Sequence, residues 1–227
     1  MTPHLRLSRQ GANRTENRDA SGSVQNAGAS LHVIADGTSK PGSGELAKAM
    51  TQHVLERFSL ADSADVSCPD KALKLALALL GDVHSNLCPD FPTASTSYLA
   101  LLVLGQTAIS IHAGDCCLGY MEKDQPVIWL SSPHCGPNWK GDLKHALIAN
   151  SPARKKLLNC MSRRRSHDPH IQSWPIIQNS KWVLATDGFW AELTPENQLS
   201  AIAARSLDIH PTEDDATVML LQMQVQS

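Results

Sequence analysis

Apolar residues along this chain gather in short runs broken by polar and glycine-containing stretches. Segments 31–35, 98–104, 108–113, 118–121, 127–130, 181–185 and 217–225 read as strands. Several are apolar without alternation, the pattern of strands covered on both faces. Two longer segments carry a helical period instead. Over 44–58, Leu46, Met50, Val54 and Phe58 fall on one stripe. Over 70–87, Leu73, Leu77 and Leu80 share a face, which Ala76, Leu79 and Val83 widen, so this helix is expected to be covered on most sides. Thr194-Pro195-Glu196 reads as an N-cap, a first-turn proline and an acid at the positive end of a helix running to about Arg205. The prolines and basic residues between 133 and 174 predict loops with one or two short helices. Strands and helices do not alternate strictly, which favours an antiparallel α+β arrangement over a doubly wound parallel sheet.

Composition narrows the class. The 227 residues are read as one domain, 1–227, long enough to bury a core. With 42% hydrophobic and 19% charged residues the chain is globular rather than disordered. A formal net charge of −2 argues against nucleic-acid binding through bulk charge. No apolar run is long enough for a membrane span, and the polar N-terminal stretch has no secretory h-region, so a cytoplasmic protein is expected. The six cysteines form no Cys-x-x-Cys pair and are read as reduced thiols, with Cys88 or Cys135 as candidates for a surface thiol.

The chemistry is suggested by acids at strand ends. The run 33–35 leads into Asp36-Gly37, 183–186 into Asp187-Gly188, and 109–113 into Gly114-Asp115, while Glu213, Asp214 and Asp215 precede the last strand. Taken singly, each reads as a solvated turn residue, and Asp-Gly is a hairpin signal. Four such sites in one chain point instead to carboxylates held in a common cleft, where cations would offset their repulsion. Hard oxygen ligands select Mg²⁺ or Mn²⁺ over zinc. Paired cations in such a cluster serve phosphoryl transfer, and Arg14 is the candidate for reading the phosphate through its guanidinium fork.

The order of short motifs carries a resemblance. Gly11-Ala-Asn-Arg14-Thr-Glu-Asn17-Arg-Asp19, Val33-Ile-Ala-Asp36-Gly37 followed by Gly44-Glu45, Thr93-Ala-Ser95-Thr96, Gly114-Asp115, Thr186-Asp187-Gly188-Phe-Trp190 and Asp214-Asp215-Ala-Thr217-Val218 resemble, in order, the motifs of type 2C metal-dependent protein phosphatases. The resemblance spans nearly the whole chain. It implies a four-layer αββα sandwich, two packed antiparallel sheets flanked by helices. It implies hydrolysis of phosphoserine and phosphothreonine in proteins, opposing a Ser/Thr kinase in signalling, with two or three Mn²⁺ or Mg²⁺ ions. Asp36 would bridge two ions with help from the Gly37 carbonyl, Asp187 and Asp214 would complete the ligands of the first ion, and Asp19 would sit near the second through water. Asp115 with Asp187 would hold a third ion, and Arg14 the substrate phosphate. The partners implied are a phosphorylated protein and its kinase, with no nucleic acid, no membrane and a monomeric enzyme.

Some positions depart from the pattern. Arg18 stands where an acid or its amide is usual, Thr38-Ser39-Lys40-Pro41 replaces a glycine-rich loop, and Cys116-Cys117 replaces Ser-Arg. His134 reads equally as a loop residue or a functional one, and Arg163 to Arg165 as a solvated loop or a guide for acidic phosphopeptides. These departures motivate an alternative, a catalytically weak pseudophosphatase that binds phosphoproteins as a regulator. A regulatory phosphatase with one dedicated partner is a second alternative. An unrelated αββα amidohydrolase is a third, disfavoured because no nucleophile stands at the start of the chain.

Overall fold

The computed structural model describes residues 2–123, 125–176 and 180–222. In chain order its elements are β1 (Thr2–Arg9), β2 (Asp19–Asn26), β3 (Ala29–Gly37), α1 (Ser43–Ser59), α2 (Pro69–Asp82), β4 (Thr96–Leu104), β5 (Thr107–Ala113), β6 (Cys117–Glu122), β7 (Ile128–Trp129), α3 (His145–Ala149), β8 (His170–Pro175), β9 (Ser180–Ala185), α4 (Asp187–Trp190), α5 (Pro195–Ala204) and β10 (Ala216–Gln222). One sheet runs β1-β10-β9-β6-β7 and the other β2-β3-β4-β5-β8. Every strand pairing in both is antiparallel.

Alternation explains why the central strands read as unbroken apolar runs. In β4, Leu99, Leu101 and Val103 face the other sheet, where they meet Trp182, Leu184, Met219 and Leu221. The intervening Tyr98, Ala100 and Leu102 face the helices and pack with Leu46, Met50, Val54 and Phe58 of α1. On the other sheet, Val183, Ala185, Val218 and Leu220 turn outward to Phe189 of α4 and Ala201 of α5. Three apolar layers thus lie between four layers of structure, helix, sheet, sheet, helix, as the resemblance implies.

The stripe of α1 behaves as predicted, all four of its residues being fully buried. The helix starts at Gly42 with no side-chain cap. A missing cap costs about 1 kcal/mol. Each buried stripe residue contributes about 1.5–3 kcal/mol, so packing decides this helix. Helix α5 has the predicted cap, with Thr194 accepting from the Asn197 N–H at 3.3 Å.

Helix α2 departs from expectation. It ends at Asp82, and the chain continues as a wider turn over Val83–Leu87. It buries Ala72, Ala76 and Leu80, with Val83 buried just beyond its end, while Leu73, Leu77 and Leu79 are only partly covered. It is therefore a surface helix with one buried stripe. Small alanines face the core because α2 packs closely against α1.

Strands β1, β2 and β8 were not predicted. The expected strand 127–130 shortens to β7, and 217–225 is borne out to Gln222, its last three positions lying outside the described residues. The stretch 133–169 holds short helical turns as expected. It is stitched to the sandwich by paired backbone bonds between Thr96 and Met161 (3.0 and 2.9 Å). Among the described residues, no helix is long and apolar enough to cross a membrane.

Candidate active site

The predicted acids all fall at one end of the sandwich. Asp19 opens β2 directly opposite Asp36 near the end of β3. Asp115 lies in the turn between β5 and β6, Asp187 begins α4 immediately beyond β9, and Asp214 sits just before β10. Asp36, Asp115, Asp187 and Asp214 line a cleft of about 200 Å³ together with Arg14. Asp19 lies behind that wall, buried and close enough to Asp36 to perturb its ionisation.

Neither Asp-Gly pair is a hairpin turn. A Cβ on Gly37 would stand 2.6 Å from the Ser43 backbone, where α1 begins, and one on Gly188 would collide with the carbonyl oxygen of Asp215. The glycines are needed because a second backbone segment passes directly behind each aspartate. Both strand ends are thereby fixed to a neighbouring element, which holds the carboxylates in place.

The hydrogen bonds are divided unevenly. Ser97 Oγ accepts from the backbone N–H groups of Asp115 and Cys116, both at 2.8 Å, shaping that turn. Thr186 Oγ1 donates to Asp19 Oδ2 at 2.9 Å. Asp215, grouped with the acids in the sequence, faces away from the cleft. Its oxygens accept from the N–H groups of Gly11 and Arg18, both at 2.9 Å, and so pin the N-terminal loop that carries Arg14. Asp19 Oδ1 and Asp187 Oδ1 are buried with no hydrogen-bond partner.

Burial, reinforced by the neighbouring acids, holds the carboxyl groups of Asp19 and Asp36 well above the usual range. The same causes push Asp115 up to about 8. Asp187 is raised by burial, against the opposing pull of Arg154. Buried acids that repel one another and leave oxygens unpartnered form a donor set suited to hard divalent cations.

Arg14 donates from Nε to Asp214 Oδ1 at 2.7 Å and from Nη1 to Ser39 Oγ at 2.8 Å. This orients the guanidinium and leaves N–H donors over. Two participants were not read from the sequence. Arg154, from the segment before β8, donates to Asp187 Oδ2 and, at 2.9 Å, to Glu192 Oε1. Glu192 Oε2 in turn accepts from the N–H groups of Glu213 and Asp214 at 2.8 and 3.2 Å. Glu192 closely follows the Asp187 motif and was within reach of inspection. Nothing in the run Arg154-Lys155-Lys156 distinguishes its first member, which is buried. Lys155 and Leu157 of the same segment also line the cleft.

The departures resolve individually. Arg18 packs over Gly44 and reaches Glu16 at 3.4 Å, outside the cleft lining. Thr38 bonds Ser43 and Ser95 through its hydroxyl, at 3.1 and 3.0 Å. Arg163, Arg164 and Arg165 are exposed. All six cysteines are free, as expected. The expectation of a surface thiol at Cys88 or Cys135 fails, because both are fully buried and burial pushes each thiol up to about 11.

Comparison with known proteins agrees with this geometry. The fold is similar to the S. agalactiae serine/threonine phosphatase, with 17% identity, a TM-score of 0.79 and coverage of 97% of this chain and 98% of that one. It is similar to the serine/threonine phosphatase Stp1 from Staphylococcus aureus, with 18% identity, a TM-score of 0.80 and coverage of 99% and 96%. The Mycobacterium tuberculosis serine/threonine phosphatase PstP/Ppp gives 18% identity and a TM-score of 0.73, with coverage of 96% and 98%. No curated relative matches the chain. The family model for protein phosphatase 2C matches residues 9–223. With a cleft of strand-end acids in a two-sheet sandwich and that match over nearly its whole length, the chain belongs to the protein phosphatase 2C family.

Proposed function

We propose that residues 1–227 act as one catalytic domain that hydrolyses phosphoserine and phosphothreonine in proteins, with Mn²⁺ or Mg²⁺ in the acidic cleft. The observation that carries this reading is the convergence of aspartates on one cleft that Arg14 borders, with an unpartnered buried oxygen on Asp187 in its lining and another on Asp19 behind it. Asp36, Asp187 and Asp214 would hold ions directly with the Gly37 carbonyl, Asp115 would join Asp187 at a further ion, and Asp19 would support Asp36 from behind. When bound, the ions supply a lowered water pKa and charge neutralisation for in-line attack on phosphorus.

The chain's own groups do the rest. Arg14, held by Asp214 and Ser39, presents its remaining N–H donors to phosphate oxygens. Glu192 orients both Arg154 and the loop carrying Asp214, so Asp187 and Asp214 keep a fixed separation. The same reading gives a phosphorylated protein and its Ser/Thr kinase as partners, and a cytoplasmic monomer as the working form.

The test is hydrolysis of a phosphothreonine peptide with Mn²⁺, with Mg²⁺ and with EDTA. Turnover that needs the cation and stops in EDTA is expected. No turnover with any cation, in protein shown to be folded, overturns the reading.

A further inference from the structure

A second group of metal-capable side chains lies beside Gly114, outside the cleft lining. His112 is the penultimate residue of β5, and His170 begins β8 directly opposite it in the register. Directly opposed residues on antiparallel strands project from the same face. His134 comes from the segment after β7 and stacks on His112, with ring centroids 4.5 Å apart and planes 18° from parallel. One nitrogen from each of the three rings lies within 4.8 Å of the other two.

The ring of His112 is prepared for a ligand. It is 1% exposed, and its Nε2 lies 3.1 Å from the carbonyl oxygen of Ser132. Donation to that carbonyl puts the proton on Nε2 and leaves Nδ1 with a bare lone pair. That Nδ1 is buried and has no hydrogen-bond partner. A ligating histidine typically donates its other N–H to a backbone carbonyl in this way. By contrast His32, also fully buried, satisfies both nitrogens with Ser23 at 2.7 Å and Ser30 at 3.2 Å. Burial and the neighbouring rings hold His112 at about 3 and His134 at about 4, so both imidazoles are neutral at physiological pH.

We propose that His112, His134 and His170 form a binding site for one borderline divalent cation, zinc above all, separate from the acidic cleft. Three imidazole ligands with no carboxylate among them select zinc over magnesium or manganese. Tetrahedral zinc with bonds of about 2.0–2.1 Å requires ligand nitrogens roughly 3.3 Å apart. The rings must therefore close and tilt toward the ion. His112 is fixed within β5, while His170 is exposed on an edge strand and gives the ion an entry path. His134 Nδ1 accepts from the Gly114 N–H at 3.3 Å, a long bond that it gives up when that nitrogen ligates. Water fills the fourth position. The bound ion clamps the edge strand β8 and the segment after β7 onto β5.

The test is calorimetric titration of the full chain with Zn²⁺ in excess Mg²⁺, repeated on His170→Ala, His134→Ala and Asp36→Ala. One Zn²⁺ per chain is expected in the parent and in Asp36→Ala, with affinity at least tenfold weaker in each histidine variant. Thermal unfolding gives a second readout, with Zn²⁺ raising the Tm of the parent and not that of His170→Ala. Absence of binding, equal affinity in the histidine variants, or loss of the ion in Asp36→Ala alone overturns the site.

Discussion

The acidic cleft and the histidine cluster both meet the Gly114–Asp115 turn, and they differ in what keeps them together. In the cleft, Asp115 and Asp187 are buried and Asp36 is half-buried beside them, and the protein offsets their repulsion only in part, through Arg14 and Arg154. In the cluster, His112 and His134 are uncharged and stacked, and the unmet demand is a single lone pair on His112. An anionic cleft calls for hard cations to relieve its charge, whereas a neutral imidazole group only needs an acceptor for its lone pairs. Two metal-capable groups so close in the fold can therefore discriminate between ions by charge and ligand type.

The largest effect tests that separation directly. Asp36→Ala should lower turnover of a phosphothreonine peptide by roughly 10²–10³-fold or more, the scale of losing one preorganised charge-stabilising group. Far-UV circular dichroism should show the fold intact, and His170→Ala should leave Mn²⁺-dependent turnover near the parent's. Equal losses in the two variants would merge the cleft and the cluster into one site.

The next effect separates a satisfied buried histidine from an unsatisfied one. Burial holds His32 at about 3, against an ordinary 6.5. The unfolded chain therefore binds more protons than the folded one between those values, so stability from this group is present above pH 6.5 and falls as pH drops. Between pH 7 and pH 5 the loss is about 2 kcal/mol. Urea unfolding of the parent and His32→Asn, both metal-free, should show the parent losing that much more than the variant over this interval.

The smallest effect concerns Arg154, which occupies one oxygen of Asp187. Arg154→Met should lower the Mn²⁺ concentration for half-maximal turnover by about tenfold, the worth of one charge-assisted hydrogen bond. A rise in KM for the peptide with an unchanged Mn²⁺ requirement would make Arg154 a substrate contact instead.

What was legible in the sequence follows burial. The central strands β3, β4, β5, β6, β9 and β10 are covered on both faces and stood out as apolar runs. The three missed strands, β1, β2 and β8, are all sheet edges. The residues of β8 are mostly exposed, and β2 is largely polar. An edge strand is recruited by backbone hydrogen bonds to its neighbour, which leave no periodic trace in side-chain chemistry. The stripe of α2 was misplaced for a related reason. Close helix packing selects small residues such as Ala72 and Ala76 over the leucines that hydropathy favours.

The candidate site divides in the same way. Asp36, Asp115, Asp187, Asp214 and the glycines behind Asp36 and Asp187 were determined by the sequence alone, because each sits where a recognisable apolar run ends or begins, while Arg14 and Asp19, in a polar stretch, were legible through the order of motifs. Their convergence, the turning of Asp215 away from the cleft, and the ties of Arg154 to Asp187 and Glu192 were decided only by the tertiary structure. So was the meeting of His112, His134 and His170, since a strand register and a loop crossing bring them together. Local sequence records which residues are buried and where strands stop; which ends become neighbours depends on how two sheets pair and pack, and that is set by long-range contacts.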